Sequence, residues 1–457
     1  MEQKDDKQYQ KMTKTPIHKL IPLMAVPTII SMLVTAIYNM ADTYFVSKLG
    51  TSASGAVGIL FSMMAIIQAV GFTIGMGAGS QISRLLGKKD DEYAGKVATS
   101  AVLSGIVMGI LIAVIGICFL NPITRMLGAT ETIVPYAVDY GRYIFLATPM
   151  MITSFVLNNL LRSEGKAKYS MIGILFGGLL NIGLDPLLIF VFHMGISGAA
   201  VATAISQTIS MLVLFYPYVR KKTVLYLSIK KIAPQFRVYW EILKFGLPSL
   251  FRQGLASIAS VLLNRSAAEY GDSAVAAMSI VAKVFMVLFS VLIGFGQGYQ
   301  PVVGYNYGAG IYKRVREAFW FTLKVGTAVM TIFAAGTYFF APNLIQMFLK
   351  DDMNVKEIGT MALRMQCLAM PLMALGVVSN MTFQAVGKTV AATFLTSMRQ
   401  GIFFIPLILL LPGFIGILGV EIAQPIADAV TFIFCIPYMI FFLKRLQSEE
   451  GKGAKKK

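Results

Sequence analysis

Apolar and polar residues alternate in long blocks along the whole chain. About twelve apolar segments are each long enough to cross a bilayer, which takes about 20 residues in a helix. They lie at approximately 18–47, 53–80, 94–120, 135–161, 168–192, 196–219, 240–267, 274–302, 314–341, 356–382, 389–411 and 416–443. The pattern predicts an all-α polytopic membrane protein with 12 transmembrane helices.

The composition of the chain supports this fold class. Of 457 residues, 56% are hydrophobic and only 14% are charged, and the mean hydropathy is +0.70. Such values exclude a soluble globular protein of this length. Cys118, Cys367 and Cys435 stand singly and far apart, so we expect neither a disulfide framework nor a metal site from them.

The net charge of +18 could indicate a nucleic-acid partner, but its placement favours another explanation. Lysines and arginines concentrate before the first segment, after each even-numbered segment and in the tail that ends with Lys455, Lys456 and Lys457. The opposite connections hold little beyond Lys48, Arg125, Lys350 and Lys356. Basic residues mark cytoplasmic loops, so we expect an inner (plasma) membrane protein with both termini cytoplasmic. Anionic lipids are the expected partners of this charge, and nucleic acid is not.

The two halves of the chain match each other at an almost constant offset of 221 or 222 residues. Pro27 corresponds to Pro248, Gly77 to Gly298, Gly87 to Gly308, Pro149 to Pro371 and Asn158 to Asn380. This duplication predicts two six-helix lobes related by an axis along the membrane normal. We expect an N-terminal lobe at 1–219, a cytoplasmic linker at 220–239, a C-terminal lobe at 240–443 and a basic cytoplasmic tail at 444–457.

The fifth segment contains a carboxylate inside an apolar run, in the sequence Asn181-Ile-Gly-Leu-Asp185-Pro186. A charged group in a membrane span is costly and usually marks a path for ions or substrate. Asn181 lies one helical turn before Asp185, on the same face. The alternative is a helix-end cap or a buried polar pair that only holds helices together.

Counting along the helices brings further polar groups to the same depth. With a rise of 1.5 Å per residue, one layer roughly 8 to 12 Å below the outer surface contains Asp42, Tyr140, Tyr143, Asp185 and Thr203, and Asn181 lies one turn deeper. Two carboxylates in a poorly solvated pocket cannot both stay ionised cheaply, which suits a proton carrier. The same oxygens also suit Na⁺, a hard cation. Mutual hydrogen bonding that merely joins three segments is the structural alternative.

The order and spacing of these features resemble one family along nearly the whole chain. The relevant residues are Pro27, Tyr38 and Asp42, the run Ser83-Arg84-Leu85-Leu86-Gly87, the turn Arg162-Ser-Glu-Gly165, the stretch from Leu180 to Pro186, and Gly198-Ala199-Ala200. They are similar to those of multidrug and toxic compound extrusion (MATE) transporters, in the bacterial and archaeal branch with its ion site in the first lobe. The resemblance implies a cation-coupling role for Asp42, Asn181, Asp185 and Thr203, with H⁺, Na⁺ or either as the ion and no other cofactor.

Further residues are candidates for a hinge, for substrate contacts and for an ionisable pair in the second lobe. Pro22 and Pro27 interrupt backbone hydrogen bonding in the first segment and form a candidate hinge. Candidates for the central cavity are Tyr38, Met63, Gln68, Phe155, Asn158, Met286 and Gln297. In the second lobe Leu263 and Phe403 replace Asp42 and Asn181 at the duplication offset. Arg399 and Asp428 lie at similar depth there, as a structural ion pair or a second coupling site.

We therefore expect a secondary antiporter, acting as a monomer, that exports amphipathic organic compounds in exchange for H⁺ or Na⁺. A second hypothesis is a flippase or exporter of a lipid-linked or anionic metabolite, because the second lobe is rich in cations. A remote third is an integral membrane enzyme acting on lipids. Such chemistry generally needs two spaced acidic metal-binding motifs, and Asp90-Asp91-Glu92 has no spaced partner, so we expect no enzymatic activity.

Overall fold

The computed structural model describes residues 2–348 and 352–454, and nearly all of them are helical. Lys350 and the tail lysines 455–457 of the charge analysis lie outside the described residues. The first half contains α1 Glu2–Lys14, α2 Ile17–Ser47, α3 Thr51–Gly87, α4 Asp91–Cys118, α5 Leu120–Met126, α6 Val134–Ser163, α7 Ala167–Pro186 and α8 Gly195–Val219. The second contains α9 Phe236–Ala268, α10 Asp272–Gly308, α11 Tyr312–Phe348, α12 Met353–Ala385, α13 Thr389–Ser397, α14 Ile405–Ile415 and α15 Ile417–Ala454.

The long helices correspond one by one to the predicted spans. Eleven helical spans in the described part of the chain have the length and hydropathy to cross a membrane. The twelfth long helix is α9, in which Arg252 and Gln253 lower the hydropathy. Two π-helical segments interrupt regular spans: Leu187–Val191 extends α7 after Pro186, and Met398–Phe404 joins α13 to α14. The predicted all-α, twelve-helix fold is confirmed.

The helices pack as two groups with the same internal arrangement. In the first group α2 packs on α7, α3 on α6, and α6 on α4 and α8. In the second, α9 packs on α13, α10 on α12, and α12 on α11 and α15. The main contacts between the groups are those of α2 with α10 and of α3 with α9 and α10.

Glycines let the two lobes touch backbone to backbone. A side chain at Gly77 on α3 would collide with the carbonyl oxygen of Ile242 and press on Gly246 of α9. A side chain at Gly298 on α10 would likewise collide with the backbone of Ala25 on α2. Gly77 corresponds to Gly298 at the duplication offset, and Ala25 to Gly246, so one contact is made twice.

The same reciprocity holds at the ends of α3 and α10. Gly87 lies against the carbonyl oxygen of Tyr305, and Gly308 lies against that of Arg84. We call the contacts made by Gly77, Gly87, Gly298 and Gly308 the glycine seam. Its pseudo-twofold form follows directly from the internal duplication.

Both ends of the described part of the chain lie on the side of the bundle where α3 and α10 end. Arg314 at the start of α11 donates to the carbonyl oxygen of Thr15 at 2.6 Å, and Arg316 pairs with Glu450 at 2.6 Å. We call this the terminal side. Interlobe hydrogen bonds such as Gln81 to Glu241, 2.9 Å, also fall in this half, so the lobes are closed against each other on the terminal side.

Hydrogen bonds hold the linker between α8 and α9 against the first lobe. The backbone N–H groups of Val224 and Leu225 donate to Oε2 of Glu164 at 2.8 and 3.3 Å, and the Tyr218 hydroxyl donates to Oε1 at 2.8 Å. Further along, the Ala233 N–H donates to the Ser100 hydroxyl at 3.1 Å. Burial raises the pKa of the Glu164 carboxyl to about 7, although these hydrogen bonds act in the opposite direction.

Candidate functional site

The predicted acidic site lies where α7 and α8 meet. Asp185, Asn181 and Thr203 are all buried, with Asp185 0% exposed. The Asn181 amide donates to Asp185 Oδ1 at 3.3 Å and to the Thr203 hydroxyl at 3.4 Å. Pro186 has no N–H to continue the helical ladder, and the backbone widens into the π-helical segment immediately after it. The carboxylate therefore sits at a break in regular helix geometry.

Asp42 on α2 and Tyr140 on α6 complete this cluster from two other helices. Asp42 and Asp185 are close enough to repel each other electrostatically. Tyr140 is fully buried and interacts with both carboxylates, while its hydroxyl donates to the Met64 sulfur at 3.8 Å. Four helices of the first lobe, α2, α6, α7 and α8, thus supply one polar chamber.

Several oxygen atoms in this chamber lack hydrogen-bond partners. They are Asp42 Oδ1, Asn181 Oδ1 and Asp185 Oδ2, each buried. Leaving a buried acceptor unsatisfied costs about 1–3 kcal/mol, and more for a charged group, so the set is suited to accept a proton or a cation. Within the described residues no group of three or more His, Cys, Asp or Glu side chains could hold a metal ion. Two carboxylates with neutral oxygens are a donor set for a hard monovalent cation.

Neighbouring candidates occupy different environments. Tyr38, one turn before Asp42, lies near Gln207 of α8, whereas Tyr143 is half-buried among apolar side chains. Sequence analysis did not single out Gln207, although it follows Thr203 by one helical turn and therefore shares its face. That spacing is the signal that could have identified it.

The seven predicted cavity residues are not equivalent. Met63, Gln68, Phe155 and Tyr38 are half-buried, and Met286 is exposed. The Asn158 amide donates to the Ser170 hydroxyl at 2.6 Å, so this side chain joins α6 to α7. Gln297 is buried and accepts a hydrogen bond from Arg162 across the lobe interface. A substrate-contacting role for these residues stays a prediction.

The predicted hinge lies in a helix that is continuous through both prolines. Pro22 and Pro27 are inside α2, and the Ser31 hydroxyl donates to the Pro27 carbonyl at 2.9 Å. One residue after Pro27, the Thr28 hydroxyl donates across the interface to the Gly294 carbonyl at 2.6 Å. The prolines therefore lie beside a contact between the lobes.

The second lobe carries different chemistry. Arg399 lies in the π-helical segment, and its Nε donates to Asp428 Oδ1 at 2.6 Å. Gln366 and Gln424 also donate to Asp428, at 3.0 and 3.1 Å. This carboxylate is thus neutralised and fully hydrogen-bonded, in contrast to the pair in the first lobe.

The twelve-helix fold, its internal duplication and a buried acidic chamber in one lobe define a multi-pass membrane transporter. The MatE family model matches residues 27–187 and again residues 248–410, so the chain belongs to the MatE family. The two matched stretches begin at Pro27 and Pro248, the pair that the duplication offset relates.

Relatives and solved structures agree with this assignment along almost the full length. The chain is 29% identical over 440 residues to the multidrug export protein MepA of Staphylococcus haemolyticus (strain JCSC1435), covering 96% of each chain. A structure described as the outward-facing conformation of a multidrug resistance MATE family transporter superposes with a TM-score of 0.92 at 27% identity, covering 97% of this chain and 99% of the other. A MOP superfamily transporter from Pyrococcus furiosus Vc1 (DSM3638) gives a TM-score of 0.91 at 26% identity, covering 96% and 99%.

Proposed function

We propose that this protein is a secondary antiporter that exports amphipathic organic compounds in exchange for H⁺ or Na⁺. The observation that carries the proposal is the chamber of Asp42, Asn181, Asp185 and Thr203. Its buried oxygens that lack hydrogen-bond partners would be stabilised by a bound cation. The relatives named as multidrug export proteins support organic compounds as the cargo. Membrane lipids are the only other partners we propose, with the protein acting as a monomer.

The donor set is compatible with either ion. Asp42, Asn181, Asp185 and Thr203 would hold Na⁺ through side-chain oxygens, which hard cations prefer. A proton would instead be shared between carboxylates that cannot both be ionised cheaply in a poorly solvated chamber. In both cases the arriving cation removes the repulsion between Asp42 and Asp185.

We propose that this charge change drives alternating access through α2. Asp42 and the candidate hinge at Pro22 and Pro27 belong to the same helix, and Thr28 beside the hinge bonds to the other lobe. A bend in α2 would therefore change both the chamber and the lobe interface. With the positive loops inside, the termini are cytoplasmic and the closed terminal side faces the cytoplasm.

Efflux from proteoliposomes tests the proposal and separates the two ions. Dye efflux would be driven once by a pH gradient alone and once by a Na⁺ gradient alone. We expect one or both to drive efflux, and Asp185→Asn to abolish it. Asp139→Asn is the matched control, because Asp139 is an exposed acid on the neighbouring α6. Full ion-driven efflux by the Asp185 variant would contradict the proposal.

A buried and a half-buried cation near the lobe interface favour a second candidate, export of an anionic or lipid-linked compound. Arg252 and Arg162 carry guanidinium groups in this region, and the similar Pyrococcus transporter is described as having a binding pocket of reverse polarity and a different function. Lipid scrambling or anion efflux in the same proteoliposomes, without dye efflux, would select this candidate.

A further inference from the structure

Arg162 is a buried cation at the lobe interface whose hydrogen-bond partners are all neutral. It lies in the last turn of α6 in the first lobe and is 5% exposed. Its guanidinium donates to the side-chain oxygens of Gln297 and Asn159, and its Nε is buried without a partner. Both partners are amides, so neither neutralises the charge.

A second guanidinium approaches from the opposite lobe. Arg252 on α9 reaches the Met76 sulfur at 3.7 Å, and it is close enough to Arg162 for the two cations to repel each other. No carboxylate in residues 6–348 or 352–451, whose side chains the structure describes, forms an ion pair with either arginine. Two unneutralised cations at a buried interface oppose the closure of the lobes, since buried charges are costly unless they are paired.

A small polar cavity lies beside Arg162 at the lobe interface. Its volume is about 20 Å³, and its walls include Arg162, Gln297 and Gln300 together with Met76, the residue that Arg252 contacts. Ser80 and Ser83 add hydroxyl groups from α3. The space accommodates a water molecule or a monatomic ion of similar size.

We propose that this cavity binds one chloride-sized inorganic anion that bridges the two lobes. The anion accepts a hydrogen bond from the unpartnered Nε–H of Arg162 and converts the repulsion between Arg162 and Arg252 into attraction by both for one negative charge. Because α6 and α3 supply one wall and α10 the other, the site is complete only while the lobes are closed on the terminal side. Bound anion therefore favours this closed conformation, independently of the cation chamber.

Thermal unfolding of the purified protein tests the site without any transport assay. The midpoint would be compared in sodium chloride and sodium gluconate at equal concentration, so that Na⁺ is constant. We expect chloride to raise the midpoint by about 2–4 °C for the unchanged protein, because a ligand that binds only the folded state stabilises it. The increase should disappear in Arg162→Gln and Arg252→Gln. It should persist in Arg142→Gln, which removes the exposed arginine of the same helix α6.

Crystals soaked in sodium bromide give the location of the anion. We expect an anomalous bromide peak beside Arg162 and Gln297, absent in the Arg252→Gln protein. If Arg162→Gln does not fold, Arg252→Gln alone carries the comparison, because it leaves the hydrogen bond between Arg162 and Gln297 in place. Equal midpoints in chloride and gluconate, an increase shared by all variants, or a bromide peak seen without any effect in solution would each overturn the proposal.

Discussion

Buried carboxylates in this protein are stabilised in contrasting ways. Glu164 receives three hydrogen bonds from Tyr218 and the linker backbone, and Asp428 has an arginine and two amides. Asp42 and Asp185 instead each retain an oxygen without a partner. Only the last pair gains a favourable interaction when a cation arrives. The contrast between satisfied and unsatisfied oxygens thus separates structural acids from the candidate coupling acids.

Glu164 should make the stability of the protein depend on pH. Its pKa is raised by burial from the ordinary 4.5 to about 7, so the folded state holds this proton more tightly than the unfolded state. The resulting contribution to stability is complete below about pH 4.5 and is lost as the pH rises through about 7. Denaturant unfolding in detergent from pH 4.5 to 8 should show this decline.

Glu164→Gln should show a weaker decline over the same range, because the amide does not titrate. Glu269→Gln, at an exposed position, is the control and should follow the unchanged protein. Identical pH profiles for all three proteins would mean that Glu164 remains ionised in the folded state.

The short helix α1 connects both lobes on the terminal side. Gln8 donates to the Glu164 carbonyl of the first lobe at 2.9 Å. Asn306 of α10 donates to the Met12 carbonyl at 3.1 Å, and Arg314 donates to Thr15 just beyond α1. Because these contacts join both lobes on one side, α1 acts as a strap that favours closure there.

Removing one end of the strap should loosen the closed conformation. Loss of the Gln8 hydrogen bond in Gln8→Ala costs about 0.5–1.5 kcal/mol, which corresponds to a roughly two- to tenfold change in a conformational ratio. The measurement is the distance distribution between spin labels at Lys88 and Lys313, which lie in different lobes. Gln10→Ala, on the exposed face of α1, should leave the distribution unchanged, and equal behaviour of both variants would refute the strap.

Helix positions were predictable from hydropathy, but some helix ends were not. Predicted spans ended near residues 80 and 302, whereas α3 and α10 continue to Gly87 and Gly308. Hydropathy reports where a helix leaves the apolar layer, and the polar turns beyond that point resemble loops. These turns stay helical because they pack against the other lobe, a contact that one segment's sequence does not encode.

The two lobes close against each other through symmetric contacts. Their polar residues, in contrast, differ between the lobes. Gly77 and Gly298 make equivalent approaches to the opposite lobe, yet Asp42 has Leu263 as its counterpart. The duplication offset predicted the equivalence of the lobes and the asymmetry of their acids. It could not predict that Gly77 meets Gly246, or that Arg162 meets Gln297, because residue matching within a duplication says nothing about which faces pair.

A bulky residue in the glycine seam should prevent closure on the terminal side. In Gly77→Val the new side chain would collide with the Ile242 carbonyl, so the lobes should separate and the Lys88–Lys313 distance should lengthen. Gly58→Val is the matched control, since Gly58 lies on the same helix α3 with nothing within 4 Å of an added Cβ. A distance distribution unchanged in Gly77→Val would show that the seam does not control closure.

Backbone packed directly on backbone at Gly77 and Gly298 leaves no room there for a continuous file of water between the lobes. A cell that stores energy as an ion difference across its membrane loses that energy wherever such a file forms. The close approach at Gly77 and Gly298 therefore blocks ion leakage between the lobes as well as joining them. A protein that cannot close there would let ions leak across the membrane of its host.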